Sequence, residues 1–185
     1  MNTLWTYFWP LVAAGLVIGA IAGSVGFRAP RAQPKDALAG PLPMTRDRRQ
    51  RRRVALALGL AASVAVVGLW SGPMGAANQL THRIERDARV TLDNYEMYPV
   101  GARLHHGPLT RQLILSGPAD DFQRGELVRI LGGISGVREA RWSAHGGGAP
   151  LIVESAGAAI LGFLLGLVLA YLVELRRRYN AQWNW

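Results

Sequence analysis

The 185-residue chain contains no cysteine. That excludes a disulfide framework, cysteine-ligated zinc or iron–sulfur and a thiol nucleophile, and it leaves only His and carboxylates as metal ligands. Lysine is nearly missing too, with Lys35 the sole example among 21 basic residues. No HExxH, GxSxG, Walker A or dinucleotide Gly fingerprint occurs, so the sequence offers no catalytic motif. Charge of either sign is absent from Met1 to Phe27, from Val54 to Trp70 and from Ser155 to Val173. Each run reaches the roughly 17 residues a membrane helix requires. A single soluble core is therefore not expected, and three transmembrane helices are.

The net charge of +9 is distributed unevenly. Residues 28–53 hold nine basic against two acidic side chains, whereas residues 71–150 hold nine against eight. Because Lys and Arg in short loops mark the cytoplasmic side, the loop and the tail bearing Arg176, Arg177 and Arg178 are expected inside. The N-terminus and residues 71–150 are then expected outside. A cleaved signal peptide would need a basic n-region, and no Lys or Arg precedes Arg28. Trp5, Tyr7, Trp9 and Trp70 are expected in the outer aromatic belt and Tyr171 near the inner one. Pro10 is expected to kink or start the first helix.

This divides the chain into a first span (1–27), a basic Pro-rich cytoplasmic loop (28–53), a second span (54–72), an extramembrane module (75–142), a Gly-rich linker (143–150), a third span (151–175) and a cytoplasmic tail (176–185). Gly15, Gly19 and Gly23 recur every fourth residue, two overlapping GxxxG patterns on one helix face. Ala158, Gly162, Gly166 and Ala170 repeat the device in the third span, with Phe163, Leu164 and Leu167 expected on other faces. Ala57, Ala61 and Ala65 form a weaker stripe in the second. These faces predict tight helix packing, within one chain or between copies. Glu154 and Glu174 lie twenty residues apart, roughly 30 Å along a helix, and are expected as solvated helix ends.

Within the loop, Pro30, Pro34, Pro41 and Pro43 argue against a folded domain. Arg46, Arg48, Arg49, Arg51, Arg52 and Arg53 abut the second span, a topology anchor expected to touch anionic headgroups. No aromatic side chain interrupts the run, so nucleic acid is not an expected partner.

The module reads as α+β. Leu80, Ile84 and Ala88 are i+4 neighbours on an opening helix. Val100, Ala102 and Leu104 alternate as a strand, His106-Gly107-Pro108 turns, and Leu113-Ile114-Leu115 makes a second strand. A helix follows from about Ala119 to Leu131, stopped by Gly132 and Gly133, and Val137 to Trp142 forms the last strand. The stretch from Asn94 to Leu113 is long for a simple hairpin, so a bulge or extended loop is expected there. His105 and His106 are adjacent in a strand and so face opposite ways, unsuited to one metal. No metal or cofactor is expected, and no enzyme.

The order αββαβ, with Leu115-Ser116-Gly117 closing the second strand and Gly136-Val137 opening the third, resembles the BON domain of bacterial envelope proteins over about a third of the chain. Gly117 and Gly136 also stand where a turn calls for positive φ. The resemblance implies a non-catalytic module associated with phospholipid or envelope binding. Some BON-bearing envelope proteins also carry a peptidoglycan-binding OmpA-like domain; here a third span and a short tail follow instead. In a bacterial cell, to which the Arg-rich composition is suited through a GC-rich genome, outside is the periplasm. The membrane is then the inner one, since outer-membrane proteins are typically barrels.

The sequence thus leads to an α-helical membrane protein with a BON-like periplasmic domain for lipid or protein binding, serving envelope integrity. The alternative is a homo-oligomeric pore or scaffold, or an accessory subunit of a larger complex, assembled through the Gly-rich helix faces. Expected partners are membrane lipids, with a protein partner or self-association through the spans.

Overall fold

A computed structural model of the chain describes residues 3–27, 46–142 and 148–183. Its elements are α1 (Thr3–Phe27), α2 (Arg46–Ser71), α3 (Ala76–Asn94), β1 (Gly101–His106), β2 (Leu109–Ser116), α4 (Asp121–Gly132), β3 (Glu139–Arg141) and α5 (Leu151–Trp183). Three helices are long and apolar enough to cross a membrane, over Leu4–Phe27, Arg49–Ser71 and Leu151–Asn180, which makes this a multi-pass membrane protein. Pro10 lies inside α1 rather than at its start. The basic run is helical from Arg46 onward, because no proline lies between Pro43 and Pro73 and Arg and Gln are good helix formers. The linker residues 143–147, loop residues 28–45 and Trp185 lie outside the described residues.

The chain divides into two compact units, Met1–Pro10 with Val67–Gly157, and Leu11–Val66 with Ala158–Trp185. In the second unit α1 and α5 pack through their glycines. Gly15 lies against Ala159, Gly19 against Phe163 and Gly23 against Ala170, while Gly162 meets Val12 and Gly166 meets Leu16. The partners advance in the same sense on both helices, so these two run parallel. A Cβ on Gly15, Gly19, Gly162 or Gly166 would overlap a backbone carbonyl oxygen of the facing helix. Association without a hydrophobic driving force depends on such close approach.

Helix α2 runs antiparallel to α1, with Gly59 against Ala22 and Arg52 beside Phe27. Its buried face is Gly59, Ser63 and Val67, leaving Ala57, Ala61 and Ala65 exposed. The two sets are offset by two residues, about 200° of helical rotation, and so occupy opposite sides. Phe163, expected on a face other than the small-residue stripe, is buried, because the missing side chain at Gly59 leaves a notch that its ring occupies.

In the first unit α3 presents Leu80, Ile84, Ala88 and Leu92 as one fully buried stripe, the i+4 spacing expected of a core-facing helix. The stripe covers a three-stranded sheet in the order β1-β2-β3, with β1 antiparallel and β3 parallel to β2. Leu104 pairs with Leu113 and Ala102 with Leu115, and a bulge falls between Leu104 and His106. A tight turn at Gly107 and Pro108 closes the hairpin. Helix α4 starts with a capping box in which Asp120 accepts from the Gln123 amide at 2.7 Å and Gln123 accepts from the Asp120 amide. It buries Leu127 and Leu131. Strand β3 is shorter than the expected Val137 to Trp142, since only three of its residues pair with β2.

Candidate functional site

The two glycines of the turn motif carry strict demands. Gly117 has φ +127, and a Cβ there would strike the Pro99 carbonyl oxygen; Gly136 has φ +108, and a Cβ would strike Ile84. Both positive φ and close approach exclude a side chain. Leu115 before the first turn is buried, Ser116 is exposed and half-buried Val137 follows the second. The Val137 amide donates to Ile134, and the Arg138 amide donates to the Arg111 carbonyl at 2.8 Å, beginning the β2–β3 ladder.

From there the chain returns to β2, where Thr110 and Pro150 form a bridge immediately before α5. Glu154, in the first turn of α5, therefore comes beside the sheet. One of its oxygens lies 2.7 Å from Arg111 Nε, and the other accepts from Arg111 Nη2 and Arg138 Nη1 at 3.3 Å each. The Glu154 and Arg111 side chains are less than one-fifth exposed. The carboxylate is thus a clamp between two arginines rather than a solvated helix end, and it also complements the positive N-terminus of α5. Glu174, near the other end, pairs with Arg178 one turn later.

Tyr7 is set apart from its aromatic neighbours by burial. Trp5 and Trp9 are exposed, their rings tilted against each other with centres 5.8 Å apart, whereas Tyr7 is 4% exposed. It lies two residues from each, on the opposite side of α1. Its hydroxyl is 3.2 Å from Ser155 Oγ and 3.4 Å from Ser71 Oγ. Ser155 donates its own proton to the Leu151 carbonyl, so Tyr7 donates to Ser155 and accepts from Ser71. One hydroxyl thereby joins α1, α2 and α5.

Beside it lies a cavity of about 270 Å³. Tyr7, Trp70, Met74 and Leu80 give it apolar walls, and Gln79 and Arg83 line it from α3. Trp70 Nε1 is buried and has no hydrogen-bond partner among the described residues. Nothing in the sequence spacing signalled this cavity, because its residues come from three separate helices.

Other candidates do not assemble into reactive chemistry. His105 Nδ1 is 3.1 Å from the Pro108 carbonyl, and His106 Nε2 is 3.7 Å from Glu85. No group of three or more His, Asp or Glu among the described residues could hold a metal. Glu126, partly exposed, is held below the usual carboxylate range by its hydrogen bond from Arg129. Of the basic run, Arg49, Arg51, Arg52 and Arg53 are exposed, with the Arg52 guanidinium 4.9 Å from the Phe27 ring centre; the side chains of Arg46 and Arg48 lie outside the described residues. Compared with protein-family models, with curated proteins and with solved structures, the chain matches none of them.

Proposed function

We propose that the chain is a non-enzymatic inner-membrane protein that holds a BON-like module at the periplasmic face, where the module binds lipid or an envelope protein. The observation that carries this reading is the αββαβ module inserted between two apolar helices, with positive-φ glycines at both of its motif turns. The charge asymmetry supports the orientation, and the exposed arginines at the start of α2 suit anionic headgroups on the cytoplasmic side. The Glu154 clamp supports a structural coupling of module to anchor, since it fixes β2 and the residue preceding β3 to the first turn of α5.

The test is native mass spectrometry of the full-length tagged protein released from its membrane under gentle conditions. Retained lipid or a stoichiometric envelope protein is the expected result. A bare chain, recovered with neither, contradicts the proposal.

One observation favours the reading as an accessory or self-associating subunit. Gly15, Gly19, Gly162 and Gly166 are already occupied within the chain, but Ala57, Ala61 and Ala65 line an exposed face of α2. Ala61→Leu is expected to leave the chain's own stability within about 0.5 kcal/mol, as for other surface changes, while releasing a helix partner. Unchanged co-migration on native gels counts against that interface.

A further inference from the structure

We infer that the cavity beside Tyr7 and Trp70 binds the phosphate of a phospholipid headgroup. This takes the lipid arm of the proposed function and gives it a site outside the αββαβ sheet.

The cavity's size limits what it can hold. At about 270 Å³ it falls below the roughly 300–1,000 Å³ of pockets that enclose drug-sized ligands, and it suits a headgroup fragment better than a whole metabolite. Its lining is electrostatically one-sided. Arg83 contributes a full positive charge, Gln79 an amide, and no carboxylate lines the wall. Among the described residues no acid pairs with Arg83, in contrast to Arg89, Arg111, Arg124, Arg129, Arg138 and Arg141. Helix α3 begins at Ala76, also on the cavity wall, and it has neither a side-chain cap nor an acidic residue in its first turn. Its positive end is uncompensated, a further source of attraction for an anion.

Position selects a headgroup over a soluble phosphate compound. Tyr7 lies near the start of the apolar stretch Leu4–Phe27 and Trp70 at the end of Arg49–Ser71. Gln79 and Arg83 belong to the polar helix that follows. The cavity therefore joins the ends of two apolar helices to a cationic segment, the change of polarity found where a bilayer's headgroups begin.

The full-length protein is reconstituted in nanodiscs containing equal amounts of phosphatidylglycerol and a phosphate-free galactolipid of the same chain length, then released for native mass spectrometry. The wild type is expected to retain one phosphatidylglycerol in preference to the galactolipid. Arg83→Gln lowers that retention about tenfold, the loss of one charge-assisted hydrogen bond. Arg103→Gln, an exposed arginine away from the cavity, leaves it unchanged. Folding of each variant is checked by circular dichroism and its melting profile. Added inorganic phosphate that displaces the lipid at equal concentration identifies a free-phosphate site and overturns the headgroup assignment. Equal retention of both lipids by the wild type overturns the inference. Undiminished retention in Arg83→Gln also overturns it, yet leaves lipid binding by the chain intact. Loss of all lipid with a protein partner retained removes the lipid arm alone.

Discussion

The two units of the chain are held together by opposite means. In the unit containing most of the three long helices, α1 and α5 meet where side chains are missing, backbone against backbone at Gly15, Gly19, Gly162 and Gly166. In the unit containing the sheet, large apolar side chains such as Ile84, Leu92, Leu113 and Leu131 fill a fully buried core. The solvent explains the difference. Water drives apolar side chains together at about 25 cal/mol per Å², whereas lipid tails give no such reward and leave close packing to decide. A glycine is thus an adhesive in one unit, and in the other it is a device for turning the chain. The polar groups differ in kind as well: the Glu154 clamp joins charges of α5, β2 and the loop before β3, while Ser63 merely bonds back to the Gly59 carbonyl of its own helix.

Substitutions that add bulk test this contrast most strongly. Gly19→Leu is expected to cost about 3 kcal/mol or more through overpacking, read as a loss of resistance to denaturing detergent. An unchanged midpoint would place the α1–α5 contact elsewhere. Gly136→Val should destabilise by about 2–3 kcal/mol, combining an unfavourable φ with overlap on Ile84. Here the loss should appear as faster hydrogen exchange in α3 and β3, with the long helices unaffected. Exchange that rises equally in both units would erase the distinction between them.

Polar losses are expected to be smaller. Glu154→Gln removes the charge facing Arg111 and Arg138, costing about 1–2 kcal/mol after discounting for partial solvent screening. The Arg138 amide should exchange faster, and added salt should narrow the gap between wild type and variant. Tyr7→Phe keeps the buried ring and loses the hydroxyl between Ser71 and Ser155, for about 0.5–1.5 kcal/mol. A stability loss as large as that of Gly19→Leu would mean that the hydroxyl, not close packing, holds those helices.

How much of this was legible in the sequence follows from periodicity. The small-residue stripes of α1 and α5 and the order of the αββαβ elements could be read, because spacings of four and two survive in one dimension. The positive φ at Gly117 and Gly136 was also predictable from turn position. Which stripe of α2 is buried was not legible, since Ala57, Ala61 and Ala65 make as good a pattern as Gly59, Ser63 and Val67. Only the facing Phe163 ring decides between them. The burial of Phe163 was not legible for the same reason: the notch that receives it lies in another helix. The burial of Tyr7 carried a readable signal in its two-residue offset from Trp5 and Trp9. The Glu154 clamp and the cavity depend on segments more than forty residues apart, which no local spacing records.

The central claim is that an anchor of three spans holds the αββαβ module outside and the basic start of α2 inside. The absence of native cysteine makes its direct test clean. Asp87→Cys on α3 and Gln50→Cys in the basic run, both at exposed positions, are each exposed to a membrane-impermeant thiol reagent in intact spheroplasts and again after permeabilisation. The account predicts that Asp87→Cys labels in intact spheroplasts and Gln50→Cys only after permeabilisation. Labelling in the reverse order, or of both residues from one side, would contradict it.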